Sequence, residues 1–167
     1  MFGVSEIINL YEKVIVLEDD LITSPNFLDF MNQALAFYLN DKMIQSVNGY
    51  SLSLTDKQDD VYFQIRPFPW GWATWQERWN SDMFNKKDLN ELIDSDSTIL
   101  KQFKKNCGQD IPAMLMDSLR GKNDSWYVRW AFDHFKNKTY SLYPSYSLLF
   151  NIGFGETGTH CRGINSY

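Results

Sequence analysis

The sequence predicts an α/β domain whose sheet is mixed but mostly parallel and is flanked by helices. Residues 14 to 17 read Val-Ile-Val-Leu, an unbroken aliphatic run of the kind found in strands buried on both faces of a parallel sheet. Helical periods stand on both sides of it. Ile7, Ile8 and Tyr11 precede the run, and Phe27, Phe30, Met31, Ala34, Leu35 and Tyr38 follow it at three- and four-residue spacing.

Taken in order, residues 5 to 12 close a helix and residues 14 to 17 form the buried strand. Ser24 is the expected N-cap of the next helix, with Pro25 at its first position and the helical period running over 26 to 39. A second strand is expected at 44 to 50, a polar loop from Ser51 to Asp60, and a short strand from Val61 to Ile65, closed by Arg66-Pro67. Leu89, Leu92, Ile93, Leu100 and Phe103 mark one or two surface helices between Asp88 and Phe103, and Ile111 to Arg120 gives another. Gly121-Lys122-Asn123 is a turn before a helix carrying Trp126, Trp130, Phe132 and Phe135. Residues 139 to 149 alternate loosely around Pro144 and read as a short strand or two, and the chain from Asn151 onward is glycine-rich and irregular.

With 167 residues, 44% of them hydrophobic and 16% aromatic, the chain can bury one sizeable core and is expected to form a single domain over 1–167. Its net charge of −5 argues against nucleic acid as a partner, because nucleic-acid binders present a basic stripe. Any phosphate must then be held through a metal or local dipoles. Cys107 and Cys161 are too few and too far apart for a disulfide framework or a zinc site, which fits a reducing, cytoplasmic setting. No apolar stretch approaches the roughly 20 residues that cross a bilayer, and the opening Met-Phe-Gly-Val-Ser-Glu lacks the basic start of a signal peptide. The aromatic and basic residues between 62 and 79 leave peripheral membrane association open.

The aliphatic strand stops on Glu18, Asp19 and Asp20. Ligands in open α/β sheets bind outside the carboxyl ends of strands, so these acids are expected at the lip of a crevice. Three adjacent carboxylates repel one another without a cation, and the strand ahead of them is too apolar to be expected at a sheet edge. Mg²⁺ or Mn²⁺ takes one or two protein carboxylates and completes its shell with water and substrate phosphate, which implies a phosphorylated substrate. The simpler alternative is that the acids merely terminate a strand.

Further landmarks follow in order: Ser24-Pro25-Asn26-Phe27, Val47-Asn48-Gly49-Tyr50, Pro69-Trp70-Gly71-Trp72-Ala73-Thr74-Trp75, Asp124-Ser125-Trp126-Tyr127-Val128-Arg129, and Asn151-Ile152-Gly153-Phe154-Gly155 with Gly158-Thr159-His160. Together with the acidic strand end, over nearly the whole chain, they resemble the GT-A class of nucleotide-sugar-dependent glycosyltransferases. Within it they are most similar to the N-acetylglucosaminyltransferase I family and related bacterial sugar transferases. The resemblance implies a metal-dependent, inverting transfer of a sugar from a nucleotide-sugar donor to a hydroxyl of a glycan or glycolipid acceptor.

Residue by residue, Glu18-Asp19-Asp20 resembles that family's Asp-X-Asp motif, with Asp20 at the position that binds Mn²⁺ or Mg²⁺ and Glu18 and Asp19 on the ribose and metal-water side. Asp124, five residues before Arg129, resembles the acid-then-Arg element that carries the catalytic base. From the residues alone, Asp124 serves equally well as a helix N-cap. Asp110 and Asp117 are weaker candidates for the base. The segment from Pro67 to Trp79 holds four tryptophans, with Gly71 among them. Aromatic faces can stack on sugar rings, and glycine permits close backbone approach. Trp70, Gly71 and Trp72 are therefore assigned to a substrate wall, and Trp75 and Trp79 to packing. His160 is a second metal contact by resemblance, or a structural histidine. Members of the class carry a nucleotide-binding portion ahead of the acidic strand, so the chain is expected to be the C-terminal portion of a GT-A fold, truncated at its N-terminus. Two other readings of the acids and tryptophans are a non-catalytic carbohydrate-binding remnant and a nucleotidyltransferase.

Overall fold

Residues 2–52, 59–79 and 85–153 are described by a computed structural model. Helix α1 (Phe2–Tyr11) buries Ile8 and turns Ile7, Leu10 and Tyr11 outward. It ends at Glu12, whose φ of 61° is left-handed and whose N–H donates to the Ile8 carbonyl at 2.9 Å. Strand β1 (Lys13–Val16) follows at once. Beyond the acids comes the short β2 (Leu21–Thr23), then α2 (Phe27–Phe37), whose Phe27, Met31, Ala34 and Leu35 form its buried face. The helix starts three residues after Ser24. The N-cap is Asn26, to whose Oδ1 the Ser24 hydroxyl donates at 2.8 Å, so Ser24 and Pro25 belong to the turn ahead of the helix.

Strands β3 (Ile44–Asn48), β4 (Val61–Gln64) and β5 (Trp72–Trp75) come next, then helices α3 (Lys86–Ser95), α4 (Ile99–Cys107), α5 (Ile111–Leu119) and α6 (Trp126–Asn137), and last β6 (Tyr140–Pro144) and β7 (Leu149–Asn151). The main sheet has the order β1-β5-β3-β6-β4, and β2 pairs with β7 in a small second sheet. Only β3 and β6 are parallel. The pairs β1–β5, β3–β5 and β4–β6 are antiparallel. The expected mostly parallel sheet is thus corrected to a mixed, mostly antiparallel one. Trp72, expected in a pocket wall, instead opens β5, which is inserted in the opposite direction between β1 and β3.

Strand β1 is also an edge of the main sheet among the described residues, contrary to expectation. Its apolarity comes from the layers above and below it. Val14 and Val16 pack into the cluster of Ile8, Trp72, Trp79 and Trp130, while Ile15 packs into the α2-side core of Phe27, Met31, Leu35, Val47 and Trp75. A third cluster joins α3 to α6 around Phe103, Ile111, Leu115 and Phe132.

Arg78 locks α2 to the sheet. Its guanidinium donates to the carbonyls of Tyr38 at 2.8 Å, Leu39 at 2.6 Å and Ile44 at 2.5 Å, and lies over the Trp75 ring at 3.6 Å. A cation at a helix C-terminus meets the negative end of the dipole and the carbonyls that have no partner within the helix.

Candidate functional site

Strand directions define the site. Val16 stands opposite Trp72, and Asn48 is Trp72's partner on the other side, so β1 and β3 finish where β5 begins. Helix α6 runs back along the sheet, because the strand that follows it, β6, starts beside the start of β3, with Ile44 opposite Tyr140. The first residue of α6 therefore lies at the end where β1 finishes. Trp126 confirms this placement: its ring centroid is 5.4 Å from that of Trp72. Glu18-Asp19-Asp20 and Asp124 leave the fold at the same end of the sheet.

The acids are held by the short sheet beyond them. Leu21 pairs with Asn151, and the Ile152 N–H donates to the Asp20 carbonyl at 2.9 Å. Asn151 Oδ1 accepts from the Gly153 N–H at 2.7 Å, which fixes the backbone next to the Asp20 carboxylate. A Cβ at Gly153 would overlap Asp20 Oδ2. Asp20 Oδ1 is buried with no hydrogen-bond partner among the described residues. A buried carboxylate oxygen left unsatisfied is costly unless a cation or proton answers it.

Glu18 keeps an exposed surface, yet the chain around its carboxyl withdraws enough water to raise its pKa, and the charges of Asp20 and Asp19 add to the rise. Among the described residues no group of three or more His, Cys, Asp or Glu side chains converges on one point. A hard cation that keeps most of its water and substrate ligands needs only one or two protein carboxylates, and Asp20 with its acidic neighbours fits that need. His160 lies outside the described residues.

Asp124 is 94% exposed at its side chain, with Oδ1 3.4 Å from Nη2 of Arg129, whose own side chain is 8% exposed. The α6 N-cap is Ser125 rather than Asp124, and it makes no side-chain cap. Instead Asn123 Oδ1 accepts from the Ser125 N–H at 3.1 Å, leaving the Asp124 carboxylate outside the helix start. The weaker candidates are engaged elsewhere. Asp110 receives both terminal nitrogens of Arg66, at 3.0 and 2.9 Å, and Asp117 pairs with Lys122 at 3.3 Å.

The substrate wall expected of Trp70, Gly71 and Trp72 is corrected in two of its three members. Trp72 is fully buried, stacked between Trp79, Trp126 and Trp130. Gly71 is buried at φ 57°, and a Cβ there would overlap the Leu149 side chain, so this glycine admits a leucine rather than a ligand. Trp70 alone keeps accessible surface, packed edge-on to Tyr50 and Phe68 at 4.8 and 5.3 Å. Trp75 and Trp79 are buried, as expected.

His134, unnoticed in the sequence, fixes the back of α6. It is fully buried, its Nδ1 2.9 Å from the Trp130 carbonyl and its Nε2 2.9 Å from the Ser46 hydroxyl, which also bonds Ser141. Beside it Gln45 donates to Asp133 at 2.7 Å. Desolvation lowers the His134 pKa to about 4, against opposing contributions from the Trp130 carbonyl and the Asp133 charge. The imidazole is therefore neutral at physiological pH and serves as a hydrogen-bonding peg between α6 and strands β3 and β6. A helical spacing that carries Trp130, Phe132 and Phe135 gave no reason to single out the polar residue between them.

No protein-family model matches the chain, and no curated protein matches its sequence. No helix among the described residues is long and apolar enough to cross a membrane.

Proposed function

We propose that this chain carries the cation- and acceptor-binding residues of a GT-A glycosyltransferase, one that moves a sugar with inversion from a nucleotide-diphosphate donor to a hydroxyl of a glycan or glycolipid. The observation that carries this reading is the buried Oδ1 of Asp20, which has no hydrogen-bond partner among the described residues, at the same sheet end as the exposed carboxylate of Asp124. Asp20 would hold Mn²⁺ or Mg²⁺, with Glu18 and Asp19 turned to the donor's ribose and to the cation's waters. Bound there, the cation would act as a Lewis acid on the diphosphate, offsetting the charge that builds on the leaving group.

The remaining work falls to Asp124 and Arg129. In an inverting transfer the acceptor oxygen bonds to the anomeric carbon from the face opposite the diphosphate. The carbon–oxygen bond to phosphate breaks with its electron pair, and the hydroxyl proton passes to the base. Asp124 is the carboxylate available for that proton, and the Arg129 guanidinium orients it. Cytoplasmic placement with peripheral membrane contact suits a glycolipid acceptor.

The test is a melting-temperature screen followed by donor turnover. Mn²⁺ and a nucleotide sugar together are expected to raise Tm, and Asp20→Asn to abolish the rise while folding normally. Stabilisation by free glycan with no metal effect would overturn this reading in favour of a carbohydrate-binding remnant, and selective binding of a nucleoside triphosphate would favour a nucleotidyltransferase.

A further inference from the structure

The four tryptophans gathered at the start of α6 are not equivalent. Trp72, Trp79 and Trp130 are buried in the cluster, whereas Trp126 is only partly buried. Its ring is held by Trp72 at 5.4 Å, Trp130 at 5.7 Å and Tyr127 at 6.3 Å, and it packs against the α3–α6 cluster as well, so the indole is held in place by its neighbours while part of it stays accessible. In sequence it stands two residues after Asp124, whose carboxylate is almost wholly exposed. A rigid, partly accessible indole two residues from an exposed carboxylate offers the two kinds of contact that bind a sugar. The C–H face of a pyranose packs on the indole while its hydroxyls reach the acid, and a side chain already fixed by its neighbours loses little entropy in the contact.

We infer that Trp126 is the platform on which a pyranose of the acceptor stacks, presenting its hydroxyl toward Asp124. The inference deepens the glycosyltransferase reading and rests on it for the word acceptor, but the stacking itself requires neither metal nor donor. It also transfers to Trp126 the wall function that the buried Trp72 cannot perform.

The test uses the full chain without metal or nucleotide, titrated with methyl glycosides of common hexoses while the indole N–H resonances are followed by NMR. The Trp126 resonance is expected to shift on titration, with those of Trp72 and Trp130 moving less. Trp126→Ala is expected to weaken glycoside binding at least tenfold and Trp126→Phe to restore most of it. Should Trp126→Ala lose its fold, the wild-type shift and the Phe variant still decide the matter. The inference is overturned if no glycoside binds, or if binding leaves the Trp126 resonance unmoved or survives Trp126→Ala unchanged. Glycoside binding at Trp126 in a protein that shows no response to Mn²⁺ and nucleotide sugars would uphold the platform and sink the transferase reading.

Discussion

The Trp126 indole packs on that of Trp72, ring centroids 5.4 Å apart, and Trp72 stands opposite Val16 in the β1–β5 ladder. This contact, within the cluster that also takes Val14, Val16 and Trp130, ties the segment carrying Asp124 to the strand that leads to Glu18-Asp19-Asp20. The two halves of the candidate site therefore share a buried side chain, Trp72, in their packing.

Removing Trp72 should expose that dependence. Trp72→Ala leaves a large cavity among Trp79, Trp126 and Trp130 and is expected to cost about 3 to 5 kcal/mol of stability. Urea denaturation measures the loss. A cost below about 1 kcal/mol would mean that the cluster is not the joint between α6 and the sheet.

Gly153→Ala should separate fold from cation binding. The added methyl overlaps Asp20 Oδ2, next to a loop of β2 and β7 rather than the main core. Stability should change by no more than about 1 kcal/mol, while the Mn²⁺-dependent rise in Tm shrinks severalfold. Retention of the full Mn²⁺ response would show that the Asp20 carboxylate is not positioned by this contact.

Acid should loosen α6 through His134. Its pKa in the fold is lowered to about 4 from the ordinary 6.5, so the unfolded chain binds the proton more readily. The stability that depends on a neutral His134 is full above pH 6.5 and is lost as pH falls toward 4. The loss is on the order of a few kcal/mol, since each pH unit between the two values carries about 1.4 kcal/mol. Asp133 and Lys136, the charged groups beside it on α6, form their own pair at 3.3 Å. Denaturation midpoints from pH 7 to 4 check this, and His134→Gln should flatten the decline. An equally steep decline in His134→Gln would assign the acid sensitivity to other groups.

Much of the helical layer was legible because its burial repeats with the helix: the apolar spacing of residues 26 to 39 and 111 to 120 matches α2 and α5 within a few residues at either end. Strand direction was not legible. Val14, Ile15 and Val16 are apolar because helices cover both faces of β1, and a covered strand has that composition at an edge or in the centre, parallel or antiparallel. Strand β5 was hidden for a related reason. Trp72-Ala73-Thr74-Trp75 is buried on both faces and shows no alternation, and its aromatic content matched that of a sugar-binding wall. The short β2 and β7 carry no periodicity, and only their pairing reveals them. Within the site, the acids were visible as a motif. The burial of Asp20 Oδ1 without a partner among the described residues, and the contact of Gly153 with the other oxygen, belong to the fold and could not be read from the sequence.

The most direct measurement is paramagnetic broadening by Mn²⁺. Titrated into isotope-labelled protein at low stoichiometry, Mn²⁺ should broaden the amide signals of residues 18–20 and 151–153 first and then the Trp126 indole, and Asp20→Asn should abolish the effect at every one of them. Broadening centred elsewhere, or undiminished in Asp20→Asn, would contradict the account of Asp20 as the residue that holds the cation.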